Sequence, residues 1–89
     1  MSTSFAVPAP RSAMLLRRRI ATYFVGGTDR IPALVGALDG RQVSELSVDV
    51  KDGVRESSMV CAVLLGGDEI DGLLEQLRAL PAVVSAELA

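Results

Sequence analysis

The chain has 89 residues, 49% of them apolar, with one Tyr, two Phe and no Trp, so it is one domain with an aliphatic core and no aromatic platform for nucleobases. It contains no His and a single Cys, which removes the commonest general base, the commonest metal ligand, any thiolate metal cluster and any internal disulfide. The net charge of -2 is uneven: Arg11, Arg17, Arg18, Arg19 and Arg30 stand against Asp29 in the first thirty residues, while the rest is acidic, which argues against nucleic acid as a partner.

Residues 1–16 are Ser, Ala and Pro with no period and read as a mobile tail, with Met14 as an alternative start of translation. The domain is expected over 17–89. No apolar run reaches membrane-spanning length, and the N-terminal arginines follow the apolar patch, the reverse of a secretory signal. The expected compartment is the cytoplasm, without a membrane partner. Arg17-Arg18-Arg19 reads as a solvated strand entrance or an interface rim.

Arg18 to Val25 forms the first predicted strand, apolar on both faces and central in a sheet. Gly26-Gly27-Thr28-Asp29-Arg30 is a loop, and Pro32 sits in the first turn of a helix, where its missing N–H costs no hydrogen bond. Ile31, Leu34, Val35 and Leu38 make that helix's expected stripe, closed by Asp39-Gly40. A second strand at Val43 to Lys51 alternates Leu46, Val48 and Val50 with Glu45, Ser47 and Asp49. Asp52-Gly53 predicts a hairpin turn. The third strand, Arg55 to Leu65, becomes solidly apolar and carries Cys61 as a small core residue.

The last segment has the clearest period. Ile70, Leu73, Leu74, Leu77 and Leu80 share one helical face, acidic Asp68, Glu69 and Asp71 favour its N-terminus, and Pro81 stops it before a final strand at Val83 to Leu88. The order β-α-β-β-α-β describes an α+β, ferredoxin-like sandwich: a four-stranded antiparallel sheet with two helices on one face. One sheet face is then left uncovered, so self-association or docking on a larger partner is expected, with the edge of the second strand open to pairing across a two-fold axis.

Among proteins of this topology, several activities are excluded by missing residues. Gly66-Gly67-Asp68-Glu69 resembles the signature of diguanylate cyclases, but here it enters a helix and reads as a glycine turn plus an N-cap. The arginine loop of acylphosphatases, a Cys-x-x-Cys metal loop and the strand aromatics of RNA-recognition domains are all lacking. No acid and base pair is present for catalysis, so the chain reads as a non-enzyme without a cofactor.

Three stretches resemble the ACT domain. Asp29-Arg30-Ile31-Pro32-Ala33-Leu34 is similar to the segment opening the first ACT helix, and Gly40 to Val48 to that entering the second strand. Leu74-Glu75-Gln76-Leu77-Arg78-Ala79-Leu80-Pro81-Ala82-Val83 resembles the helix-to-strand motif of the single-ACT small subunits of acetolactate synthase. The resemblance spans about Arg19 to Leu88. It implies a regulatory subunit in branched-chain amino-acid biosynthesis that activates or modulates a thiamine-diphosphate-dependent catalytic subunit, pairs as a homodimer through the sheet edge, and takes an amino-acid effector. The alternative it implies is a free-standing ACT homodimer that senses an amino acid or regulates a different biosynthetic enzyme.

By that resemblance the effector site is Gly26, Gly27, Thr28, Asp29 and Gln42. The family's glycine at the helix start is replaced by Pro32, which has no N–H for a ligand carboxylate, and its asparagine by Asp29, whose charge repels one. Weak or absent valine binding is expected.

Overall fold

The computed structural model describes residues 15–51 and 56–89. The expected hairpin turn at Asp52-Gly53 and residues 1–14 of the expected tail lie outside the described residues. Four strands, β1 (Leu15–Val25), β2 (Gln42–Asp49), β3 (Glu56–Gly66) and β4 (Val83–Leu88), form one antiparallel sheet in the order β2-β3-β1-β4. Two α-helices, α1 (Ile31–Gly36) and α2 (Ile70–Arg78), connect them in the order β-α-β-β-α-β. The fold is the ferredoxin-like sandwich.

β1 begins at Leu15, three positions before the expected Arg18, because its partner β3 is equally long and the ladder continues from Ile20↔Cys61 to Leu15↔Gly66. Leu15 and Leu16 therefore belong to the sheet and not to the tail. β3 is apolar on both faces through most of its length, whereas β1 is apolar toward the helices at Ile20 and Phe24 and carries Arg17 and Arg19 on its other face. β2 and β4 each carry an irregularity. The register against β3 shifts between Val43 and Glu45, and that of β4 against β1 shifts at Tyr23 and Phe24. Each leaves one extra residue, Ser44 or Val84, outside the ladder.

The core lies between the sheet and α2. Leu73, Leu74 and Leu77 are buried, and Ile70 and Leu80 pack half-buried against the same cluster, so the 3.6-residue stripe is realised in full. They meet Ile20, Phe24, Met59, Cys61, Val63, Leu65 and Ala86 from the sheet. Arg78, in the last turn, donates from Nε to the carbonyl of Ala86 at 2.9 Å and ties the end of α2 to β4.

The first helix departs from its expected stripe. α1 has only six residues, and its buried apolar side chains are Leu34 with Ala37 and Leu38 just beyond; Val35 is exposed. A helix this short rotates little of its surface toward the sheet. The β2 alternation is likewise only partly used: Val48 packs on the core, but Val43 and Leu46 stay exposed on the helix side.

Two polar junctions fix the sheet's ends. At one, Glu69 stands at the start of α2 and accepts from the Gly66 N–H at 2.7 Å and from Arg41 at 3.1 Å, which joins the two loops at that end. Glu69 is the N-cap position, but its side chain bonds backward and not to the helix N–H groups. At the other, the fully buried Ser57 hydroxyl donates to the Gly26 carbonyl at 3.1 Å and accepts from the Lys51 N–H at 2.9 Å.

Cys61 is fully buried on the helix side, and burial raises its thiol pKa. Because the folded value lies above the unfolded one, its contribution to stability is present below the pKa of an exposed thiol and is lost as pH rises through the folded value. Native protein is expected to react slowly with a thiol reagent at mildly alkaline pH and quickly in denaturant. A native rate equal to the denatured one would contradict the burial.

Candidate functional site

The loop between β1 and α1 holds four of the five expected effector residues together. Gly26 ends β1 with φ of 124°, a backbone conformation open to glycine, and its carbonyl is held by Ser57. A Cβ at this position would lie 2.7 Å from Cγ of Arg30, so the arginine stem lies directly over the glycine. Thr28–Arg30 then make one 3-10 turn, stitched by the Arg30 N–H to the Gly27 carbonyl at 3.0 Å, and lead into α1.

Asp29 closes the loop on itself. Its Oδ1 accepts from the Gly27 N–H at 3.1 Å, and its Oδ2 lies 3.6 Å from Nε of Arg30. The donor that Gly27 offered to a ligand carboxylate is thus already taken, and the cation beside it is partnered. Exposure of both side chains makes this pair weak, but the geometry places a carboxylate at the loop where the expected effector would bring its anionic group. Asp29→Ala is expected to free the Gly27 N–H and raise affinity for an amino-acid carboxylate several-fold, read by calorimetry. Unchanged affinity would show that the loop does not receive the carboxylate.

Gln42 is elsewhere. It opens β2 opposite Leu64, whereas the loop sits beside Ser57, seven positions further along β3 and roughly 23 Å away. Within one chain, Gln42 and the loop do not share a site. The strand pattern begins at Val43, and β2 starts one residue earlier, at Gln42, and ends at Asp49, two short of the expected Lys51; the sheet register, which sequence spacing does not reveal, sets Gln42 at the opposite end from the loop.

Two concave places accompany these residues. Between α1 and the turn joining α2 to β4 lies a cavity of about 40 Å³, lined by Ala33, Leu34, Leu80, Ala82 and Val83 with Arg30 at its rim. It has space for about three waters, which is less than a whole amino acid needs. An open groove of about 390 Å³ crosses β2, lined by Arg19, Glu45, Leu46, Ser47 and Val60. Here Glu45 is shared by Arg17 at 3.1 Å and Arg19 at 3.6 Å, on the sheet face opposite the helices. The sequence showed the arginines as a charged run; only the register shows that Arg17 and Arg19, but not Arg18, converge on one carboxylate.

Among the described residues no group of acidic, Cys and His side chains could hold a metal, and no helix is long and apolar enough to cross a membrane. No family model matches the sequence, and no curated protein matches it. Solved structures do. The crystal structure of the ACT domain from the GTP pyrophosphokinase of Chlorobium tepidum superposes with a TM-score of 0.75 at 14% identity, over 84% of this chain and 99% of that one. A solution NMR structure of the same enzyme's ACT domain gives 0.73 at 14% identity, over 85% and 88%. The chain therefore has the fold seen in ACT domains.

Proposed function

We propose that this chain is a non-catalytic ACT-type regulatory subunit that binds an enzyme carried on another chain and modulates it. The observation that carries this reading is the match of nearly the whole described chain to a fold found as an ACT domain of a larger enzyme. The partner we favour is the thiamine-diphosphate-dependent catalytic subunit of acetolactate synthase. Support comes from the run Leu74 to Val83, which resembles the small subunits of that enzyme and forms here the junction where α2 ends at Arg78 and β4 starts at Val83. Valine feedback is weak or absent on this reading, because Asp29 occupies the Gly27 donor and Pro32 contributes none.

A second reading is favoured by one observation. The structural neighbours belong to GTP pyrophosphokinase, so an ACT homodimer acting on a different enzyme is the alternative. Co-purification with a candidate catalytic subunit separates them. On the first reading a complex forms and acetolactate production rises when the chain is added; no complex and no stimulation would overturn it.

A further inference from the structure

The sheet face without helices spans the full length of β1, from Leu15 at one end to Val25 at the other. Residues opposite one another in an antiparallel register share a face, so the pairing gives this surface as rows across the strands. Its midpoint lies between the row of Arg19, Ala62 and Glu45 and the row of Ala21, Val60 and Ser47. Ala21 and Ala62 are buried, while Leu15, Tyr23 and Val25 are exposed at 51%, 37% and 46%. Ala21, Ala62 and Ser47 keep part of the middle low beside the longer, charged Arg19 and Glu45, and uncovered apolar side chains lie toward the two ends.

We propose that this face is the contact between two copies of the chain, stacked sheet on sheet about a two-fold axis that crosses the strands at that midpoint. The axis reverses the strand direction, so the first row of one copy falls on the last row of the other. Leu15 then meets Val25 of the second copy, and Arg17 meets the ring of Tyr23, a cation against an aromatic face. Ala62 lies on Val60 at the centre, where small side chains let the sheets approach to the usual spacing of about 10 Å. On β2, Gln42 faces Asp49, a donor against a carboxylate. Arg19 comes within one strand of Glu87, which lies beside Ala21 on β4.

No like charges are superposed in this arrangement, and all three exposed apolar residues of β1 on this face are covered. That self-complementarity selects a second copy over an unrelated partner. A face of six rows and four strands measures roughly 600 Å² per copy from strand spacing and rise, which gives about 1,200 Å² in total, the lower bound of a stable interface. The mode is distinct from pairing through the β2 edge, and it leaves that edge open.

The test is a cysteine pair. Leu15 and Val25 lie at opposite ends of an eleven-residue strand, roughly 33 Å apart by strand rise, so a short bismaleimide that spans the sheet spacing of about 10 Å can link them only between two copies. The full chain carrying L15C and V25C is expected to give covalent dimers with that bismaleimide, whereas either single variant does not. Arg19→Glu and Glu87→Arg are each expected to weaken dimerisation roughly tenfold in sedimentation equilibrium, and their combination to restore it. A monomer at about 100 μM, above the range expected for a stable interface of this size, would overturn the proposal. So would a dimer that the cysteine pair fails to cross-link, which is the outcome for edge pairing, or equal cross-linking by a single variant.

Discussion

Leu77→Ala is expected to lower the unfolding free energy by about 3 kcal/mol, with a fall in melting temperature of roughly 15 °C. Leu77 is fully buried on the face of α2 that meets the sheet. Its removal leaves a cavity between Leu73, Leu74 and the apolar side chains of β1 and β3, and these cannot close it because the strands are fixed by ladders on both sides. A domain of this size has about 5–10 kcal/mol of total stability, so the variant retains about 2–7 kcal/mol and stays folded at 25 °C with a visibly earlier transition. Chemical denaturation with an unchanged slope would assign the loss to the native core. A loss under 1 kcal/mol would mean that α2 does not anchor the fold as described.

Gly26→Ala is expected to cost about 2–3 kcal/mol, nearly as much, although it adds only one methyl group. Two effects combine. The φ of 124° is strained for any residue with a Cβ, and the new Cβ would stand 2.7 Å from Cγ and 3.0 Å from Nε of Arg30. The second is relieved by moving a flexible side chain, and the first is not. Accordingly Gly26→Ala combined with Arg30→Ala should recover well under half of the loss. Full recovery in the double variant would show that crowding, and not backbone conformation, makes glycine necessary here.

The contrast between these two sites shows what the sequence could disclose. Leu77 was legible because a helical period is a property of spacing alone: Ile70, Leu73, Leu74, Leu77 and Leu80 announce a buried face before any partner is known. The strand order followed from hydrophobic runs and short connections, and the antiparallel sheet with two crossovers followed from that order. Gly26 was visible only as part of a loop. That it lies under the stem of Arg30, and that Asp29 turns back to the Gly27 N–H, are contacts of three-dimensional position. The charge of Asp29 gives one reason to expect poor capture of a carboxylate, and its hydrogen bond from the Gly27 N–H adds a second that charge does not contain.

Where the pattern misled, the cause was geometric. Val35 and Leu46 fit the apolar positions of their elements yet remain exposed, because α1 is too short to extend over β2. The alternation in β2 marks its two faces correctly; it carries no information on how far a neighbouring helix reaches. Gln42 illustrates the same limit across the sheet, since proximity to the effector loop depends on register along β3 and not on the motif that surrounds it.

The Ser57 hydroxyl bears on the order in which the chain assembles. It bridges Gly26, at the close of β1, and Lys51, just beyond β2, from a position on β3. The Lys51 contact closes within a local hairpin, whereas the Gly26 contact needs two segments separated by 31 positions to meet. Contacts between distant segments pay their loop-closure entropy late, so the Lys51 amide serves as a reporter of hairpin closure and the Ser57–Gly26 bond as a clasp that fastens only once β1 has docked.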